Sequence, residues 1–132
     1  MANTVTSQIL LDGSQRLVIK WYLSSDGVAG EVTDQVVVDV SALTPAATKV
    51  SLERVIWSLT GFDAILEWDA TADVEILRLG AAASTSDLCM KEFGGIWNNA
   101  GAGITGDMLL TTSGFTAVGD AGTIILICTK NT

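Results

Sequence analysis

Between Asp63 and Glu75 the chain carries its densest run of ionisable side chains, and their alternation with apolar residues limits what they can do. Leu66 and Trp68 alternate with Glu67 and Asp69, and Val74 and Ile76 alternate with Asp73 and Glu75. Successive side chains in a strand leave opposite faces, so each half places two carboxylates on one face and two apolar groups on the other. If Ala70-Thr71-Ala72 is a three-residue hairpin loop, Asp69 opposes Asp73, Glu67 opposes Glu75, Trp68 meets Val74 and Leu66 meets Ile76. A two-residue loop would set Glu67 against Ile76 and Asp69 against Val74, so the three-residue register is expected. Like charges directly across a ladder are destabilising. The four carboxylates therefore either stand solvated at a splayed hairpin end or are matched by cations. The cations to weigh are a basic patch on a partner protein and Ca²⁺ held by hard carboxylate oxygens, although no EF-hand-type loop is present. Two carboxylates beside an aromatic also fit glycoside hydrolysis, but that reaction places them across a substrate from each other. A tight hairpin sets them side by side.

Other catalytic chemistry is poorly supplied. The chain has no histidine, which removes Ser-His-Asp and Cys-His activation and the commonest metal ligand together. Gly101-Ala102-Gly103-Ile104-Thr105-Gly106 matches GxGxxG, a spacing that binds dinucleotides only after a parallel strand and at the start of a helix. Here Asn98-Asn99-Ala100 precedes it and the β-like Met108-Leu109-Leu110 follows, so a flexible or tightly turned surface loop is the better reading. Cys89 and Cys128 have no metal-ligand spacing. Both sit in apolar runs and are expected as reduced core thiols, with a disulfide between neighbouring strands as the alternative.

The remaining candidates are contact residues. Trp21, Trp57 and Trp68 alternate with polar neighbours and are expected in the core. Trp97 lies in the loop-like run Phe93-Gly94-Gly95-Ile96-Trp97-Asn98-Asn99, where an aromatic is a lid over the end of a sandwich or an interface anchor. Phe93, Trp97 and Phe115 join Glu67, Asp69, Asp73 and Glu75 as expected interface residues. From Phe93 to Thr129 the only charges are Asp107 and Asp120, a neutral stretch expected to be buried against another surface, with central strands joined by Gly-rich loops as the alternative.

The elements that must hold these residues read as strands. Residues 14–24 alternate, with Leu17, Ile19, Trp21 and Leu23 on one face and Arg16, Lys20 and Ser24 on the other. Asp12-Gly13 marks a tight turn before them, so residues 5–24 form a hairpin. Further strands are expected at 35–40, 50–60, 64–69, 73–79, 88–93, 108–112 and 123–130, punctuated by Gly, Asp, Ser and Asn. The one proline, Pro45, falls in a linker over 41–48. Residues 81–86 are too short for a helix. The fold class is all-β, a β-sandwich or jelly roll of eight or nine short antiparallel strands. It is a single domain over 1–132, with 1–8 as a flexible arm that could become ordered on binding. Val36-Val37-Val38 and Ile124-Ile125-Leu126-Ile127 are apolar on both faces and need cover on both sides.

Composition points the same way. Of 132 residues 48% are hydrophobic and 17% charged, with 7 bases against 15 acids and a net charge of −8. So apolar a chain with so thin a polar coat is expected to oligomerise or dock on a larger partner. Its acidity argues against nucleic acid and against an anionic membrane surface. The opening residues lack the basic and apolar regions of a secretory signal, and no stretch has the apolar length of a transmembrane helix. Production in a cytoplasm is expected, with no cofactor beyond the Ca²⁺ option.

The segments Asn3-Thr4-Val5-Thr6-Ser7-Gln8-Ile9-Leu10-Leu11-Asp12-Gly13-Ser14, Trp68-Asp69-Ala70-Thr71, and Phe93-Gly94-Gly95 with Asn98-Asn99-Ala100-Gly101-Ala102-Gly103 resemble small virion proteins of tailed phages. The likeness is greatest to the decoration or cement proteins of aquatic phages. It covers most of the chain in order and length, on motifs that are turns and strand edges. The resemblance implies a non-enzymatic β-sandwich or jelly-roll subunit, often a trimer, on the capsid surface of the virion. There it would reinforce contacts between major capsid proteins, and it brings no catalytic residues. A carbohydrate-binding or adhesion module stacking sugars on Trp97 is the first alternative. A tail, neck or baseplate adaptor is the second.

Overall fold

In β2 (Arg16–Ser24) the alternation is literal: Leu17, Ile19, Trp21 and Leu23 are buried, while Arg16, Val18, Lys20 and Tyr22 face away. The computed structural model describes residues 3–28, 30–43 and 46–131. Around β2 it places β1 (Thr4–Asp12), β3 (Gln35–Val38), β4 (Lys49–Thr60), β5 (Asp63–Trp68), β6 (Val74–Leu79), β7 (Ala82–Cys89), β8 (Met108–Ser113) and β9 (Ala121–Asn131). Single 3₁₀ turns lie at Val40–Ala42 and Lys91–Phe93. Among the described residues no helix is long and apolar enough to cross a membrane.

The strands form two antiparallel sheets, β1-β2-β9-β4-β7 and β3-β8-β5-β6. The pairs β2–β9, β3–β8, β4–β7 and β5–β6 are the rungs of one long ribbon whose tip is the β5–β6 hairpin. Rolled over on itself, the ribbon gains the lateral pairs β4–β9 and β5–β8. This is the jelly-roll arrangement, in which an antiparallel ribbon becomes two facing sheets. β1 adds a fifth strand beyond β2 through the expected hairpin, whose turn is closed by Gly13 N–H donating to Arg16 O at 2.8 Å.

Between the sheets lie Leu17, Leu52, Val55, Leu126 and Ile124 from one side and Leu66, Trp68, Met108 and Leu110 from the other, all at most 1% exposed. Side chains from two inner faces interdigitate in such a layer. Trp21 is buried as expected and donates its Nε1–H to Val37 O at 2.9 Å. Trp57 is only half-buried, and its indole N–H reaches Gly80 O at 3.0 Å.

Several expectations are corrected. Of the proposed arm, residues 4–8 are the first part of β1 and pair with Lys20 to Ser24; residues 1 and 2, like Thr44 and Pro45 of the linker, lie outside the described residues. The strand expected at 88–93 ends at Cys89, because Met90 N–H is drawn to Glu53 O at 2.7 Å and Gly94 takes a left-handed φ of 81°. Residues 82–86 belong to β7. Cys89 is exposed on β7, opposite Arg54, whereas Cys128 is buried on the inner face of β9. Both thiols are free. Phe115 is no contact residue: it is fully buried, packs edge-to-face on Phe62 at 4.5 Å, and its N–H donates to Glu31 Oε1 at 3.0 Å.

The neutral stretch divides accordingly, since β8 and β9 are core strands and residues 101–105 an exposed loop. The inner face of β9 is covered, but Ile125 and Ile127 on its outer face are only half-buried. Among the described residues every strand belongs to one of the two sheets, and no third layer lies over them.

Burial, with the nearby Glu53 carboxylate, pushes the Cys128 thiol up to about 12. An uncharged thiol reagent should therefore label Cys89 in the native protein and Cys128 only after denaturation; labelling of both thiols at one rate would contradict this placement. Truncating Phe115 to Ala should cost about 3–5 kcal/mol of stability, measured by denaturant unfolding, as expected for core rather than surface.

Candidate functional site

The β5–β6 hairpin forms in the expected register at its tip, with Glu67 paired to Glu75 and Trp68 to Val74. Leu66, however, pairs with Leu77 rather than Ile76, because a bulge interrupts the ladder between Leu66 and Glu67. A bulge adds one residue to one strand and changes where later side chains point. The consequence is electrostatic. In a regular strand, residues 75 and 78 would face opposite ways; after the bulge, Arg78 joins the outer face and reaches back to Glu75. Arg78 Nε donates to Glu75 Oε1 at 3.0 Å and Oε2 at 3.1 Å. The Glu67–Glu75 opposition is thus partly offset by a cation that a period-two reading of the sequence puts on the wrong face.

Glu67 has a second group of neighbours. Its carboxylate converges with those of Asp34 and Asp73, the three offering oxygens within 4.8 Å of one another. Thr111 Oγ1 bridges them, 3.2 Å from Glu67 Oε1 and 3.4 Å from Asp34 Oδ1. Asp34 reaches this place through a positive φ of 51° and an N–H donated to Thr111 Oγ1 at 3.1 Å; aspartate is one of the few residues that tolerate that conformation. Burial, and then the charges of Asp34, Asp73 and Glu75, raise the Glu67 carboxyl above its ordinary value, despite the lowering effect of the Thr111 hydrogen bond. Such a set of hard oxygens can hold a divalent cation or a basic side chain. Glu67 and Glu75 are direct cross-strand partners on one face, not carboxylates set across a substrate from each other as the glycosidase arrangement requires.

Asp69 is separated from this group. Its Oδ2 accepts from Thr105 Oγ1 at 2.8 Å, and its backbone is tied to Asp107 O and Thr105 N. It fastens the GxGxxG segment to the hairpin tip. Within that segment Gly103 (φ 79°) leaves room for Thr71, and Gly106 (φ 89°) for Thr48 O, each 2.0 Å or less from where a Cβ would sit. The glycines allow a tight turn and close backbone approach, and the chain enters β8 rather than a helix. Asp107 in turn accepts from Val40 N–H at 3.0 Å, and burial raises its carboxyl despite that bond.

Phe93 and Trp97 stand out at 68% and 65% exposed. Both line an open groove of about 420 Å³ together with Glu75, Ile76, Gly95 and Asn99. The β-bridge Leu52–Ile96 holds the aromatic loop against the edge of β4. Of the seven expected contact residues, then, the fold brings Glu75, Phe93 and Trp97 to one groove. It clusters Glu67 and Asp73 beside it, turns Asp69 to a structural role and buries Phe115. Asp34 and Arg78 were missed: Asp34 arrives through the pairing of β3 with β8 and of β8 with β5, which no local pattern reveals.

No family model matches the chain, and no curated protein matches it in sequence. Two of the solved structures to which it is similar are the following. One is an uncharacterized conserved protein with a double-stranded β-helix domain from Klebsiella pneumoniae, at 7% identity and TM-score 0.39, over 96% of this chain and 77% of that one. The other is a cupin superfamily protein from Desulfitobacterium hafniense, at 8% identity and TM-score 0.35, over 100% of this chain and 82% of that one. Likeness at this level carries no functional argument.

Because the folded state holds the Glu67 proton more tightly than the unfolded chain does, stability from this group is present at low pH. It is lost as pH rises from the ordinary glutamate value through the raised one. Glu67→Gln should therefore stabilise the protein at pH 7 by about 0.2–1 kcal/mol, and the gain should disappear below about pH 4. Denaturant unfolding at the two pH values checks both parts; a loss of stability at pH 7 would mean that the Thr111 hydrogen bond outweighs the repulsion.

Proposed function

We propose that this chain is a non-enzymatic structural subunit of a tailed-phage virion, a decoration or cement protein that binds and stabilises the capsid lattice. The observation that carries the reading is the joining of two adhesive features on one surface. The exposed Phe93 and Trp97 share a groove with Glu75, next to the acidic group of Glu67, Asp73 and Asp34. Desolvated aromatics supply most of the binding energy at protein interfaces, and surrounding charges steer and select the partner. Basic groups of the major capsid protein match the acidic rim. A subunit that binds only the assembled lattice shifts stability toward that lattice by mass action.

Trp97→Ala should lower occupancy on purified capsids by on the order of tenfold or more. Asp73→Lys with Glu75→Lys should weaken binding in a salt-sensitive way. Asp69 is left unchanged in these variants because it holds the neighbouring loop. Unchanged occupancy in both would end the capsid reading of this surface.

The same groove favours one second reading, carbohydrate binding. An exposed indole beside a carboxylate (Glu75) and an amide (Asn99) offers a sugar a stacking plane and hydrogen-bonding groups. Saturable glycan binding lost in Trp97→Ala, with no capsid binding, would decide for it.

A further inference from the structure

The charges of this acidic chain are sorted by sheet. Arg16, Lys20, Lys49 and Arg54, four of its seven basic residues, lie on the outer face of the five-stranded sheet by strand register and alternation. Two of them are matched in place, Arg16 by Glu53 at 3.6 Å and Arg54 by Asp87. Lys20 and Lys49 have no ion pair among those formed by the described residues. Lys20 stands in the middle of the face, between Gln8 and Ile125 across the ladder. Around it run Leu11, Val18, Tyr22, Ile56 and Ile127, half-buried or exposed and without a covering layer. The outer face of the four-stranded sheet is the electrostatic opposite. Among the described residues it carries Asp34, Asp63, Glu67, Asp73 and Glu75 against Arg78.

We infer that the occupant of the uncovered five-stranded face is a second copy of this chain, docked through its acidic four-stranded face. The two faces are on opposite sides of the sandwich, so the contact is heterologous: one surface meets a different surface of the next copy. Such contacts propagate into a ring or an open stack. Lys20 and Lys49 of one copy face the Asp34–Glu67–Asp73 group of the next, relieving the repulsion that raises energy in the isolated subunit. Apolar side chains around Lys20 lose water in the same contact. This rests on the assembly reading above, and an open stack still leaves its terminal acidic face free for a lattice.

The test is sedimentation of the isolated full chain at low and high salt, with charge-swapped partners. Wild type should self-associate at about 50 mM salt, weakening on the order of tenfold at about 500 mM. Lys20→Glu with Lys49→Glu makes both faces acidic, and Glu67→Lys with Asp73→Lys neutralises the acidic face and sets lysines against Lys20 and Lys49; each variant alone should be monomeric. Mixed together they should associate again, an outcome that misfolding could not produce. A wild type that stays monomeric, an oligomer indifferent to salt and to both variants, or failure of the mixture to associate would each overturn the inference. Capsid occupancy separates the two proposals. The Lys20, Lys49 variant should still bind capsids if the assembly reading holds, whether or not self-association does.

Discussion

The placement of β9 between β2 and β4 is the constraint on which the rest of the molecule depends. β9 runs from Ala121 to Asn131 and pairs along its whole length with β4 and from Ala121 to Thr129 with β2. Its inner residues Ile124, Leu126 and Cys128 are at most 1% exposed. Only with β9 there can the ribbon close over itself, because β9 joins its first rung, β2–β9, to its third, β4–β7. Sliding β9 by one residue would carry Ile124, Leu126 and Cys128 to the outside and turn Thr123 and Thr129, together with Ile125 and Ile127, into the core. The apolar layer thus disfavours the slip, and the hairpin tip inherits its position from that closure.

Bulges give this frame its surface chemistry. The register shift in β4 lies between Leu52 and Arg54 and leaves Glu53 as the extra residue. Glu53 is nearly buried there, accepting a hydrogen bond from Thr129 Oγ1 and approaching Arg16. The shift in the β5–β6 ladder does the corresponding work for Arg78 and Glu75. At the hairpin the extra residue brings together opposite charges that strict alternation would separate. At the hairpin, burial and then the charges of Asp34, Asp73 and Glu75 raise the Glu67 carboxyl, and Arg78 pairs with Glu75 on one side of it. The other side, toward Asp34 and Asp73, has no cation of its own chain beside it among the described residues.

The two outer faces follow from one economy. A chain with 48% hydrophobic residues fills the layer between its sheets and still has apolar side chains left for the outside of β2, β4 and β9. Charged residues are too few to screen both faces and fall with opposite sign on opposite sides. The result is an uncovered face of apolar and basic side chains on one side and an acidic face on the other.

Alternation was enough to read the all-β class, the β1–β2 hairpin, the β5–β6 hairpin with its Glu67–Glu75 pair, and the burial of Trp21 and Trp68, because period two is a local property of the backbone. The missing histidine and the acidic balance were likewise plain from composition. Strand order was not readable, since lateral pairing joins segments far apart in the chain and leaves no local mark. Everything that depends on it came only from the tertiary structure. That includes the arrival of Asp34 beside Glu67, the burial of Phe115 against Phe62 and the exposure of Cys89. The bulge at the hairpin belongs here too, because it shifts Arg78 across the sheet for reasons of packing between layers. The sequence alone marked the acidic hairpin and the aromatic loop as separate candidates; the fold put Glu75, Phe93 and Trp97 in one groove, because the rolled ribbon brings its tip to the loop that follows β7.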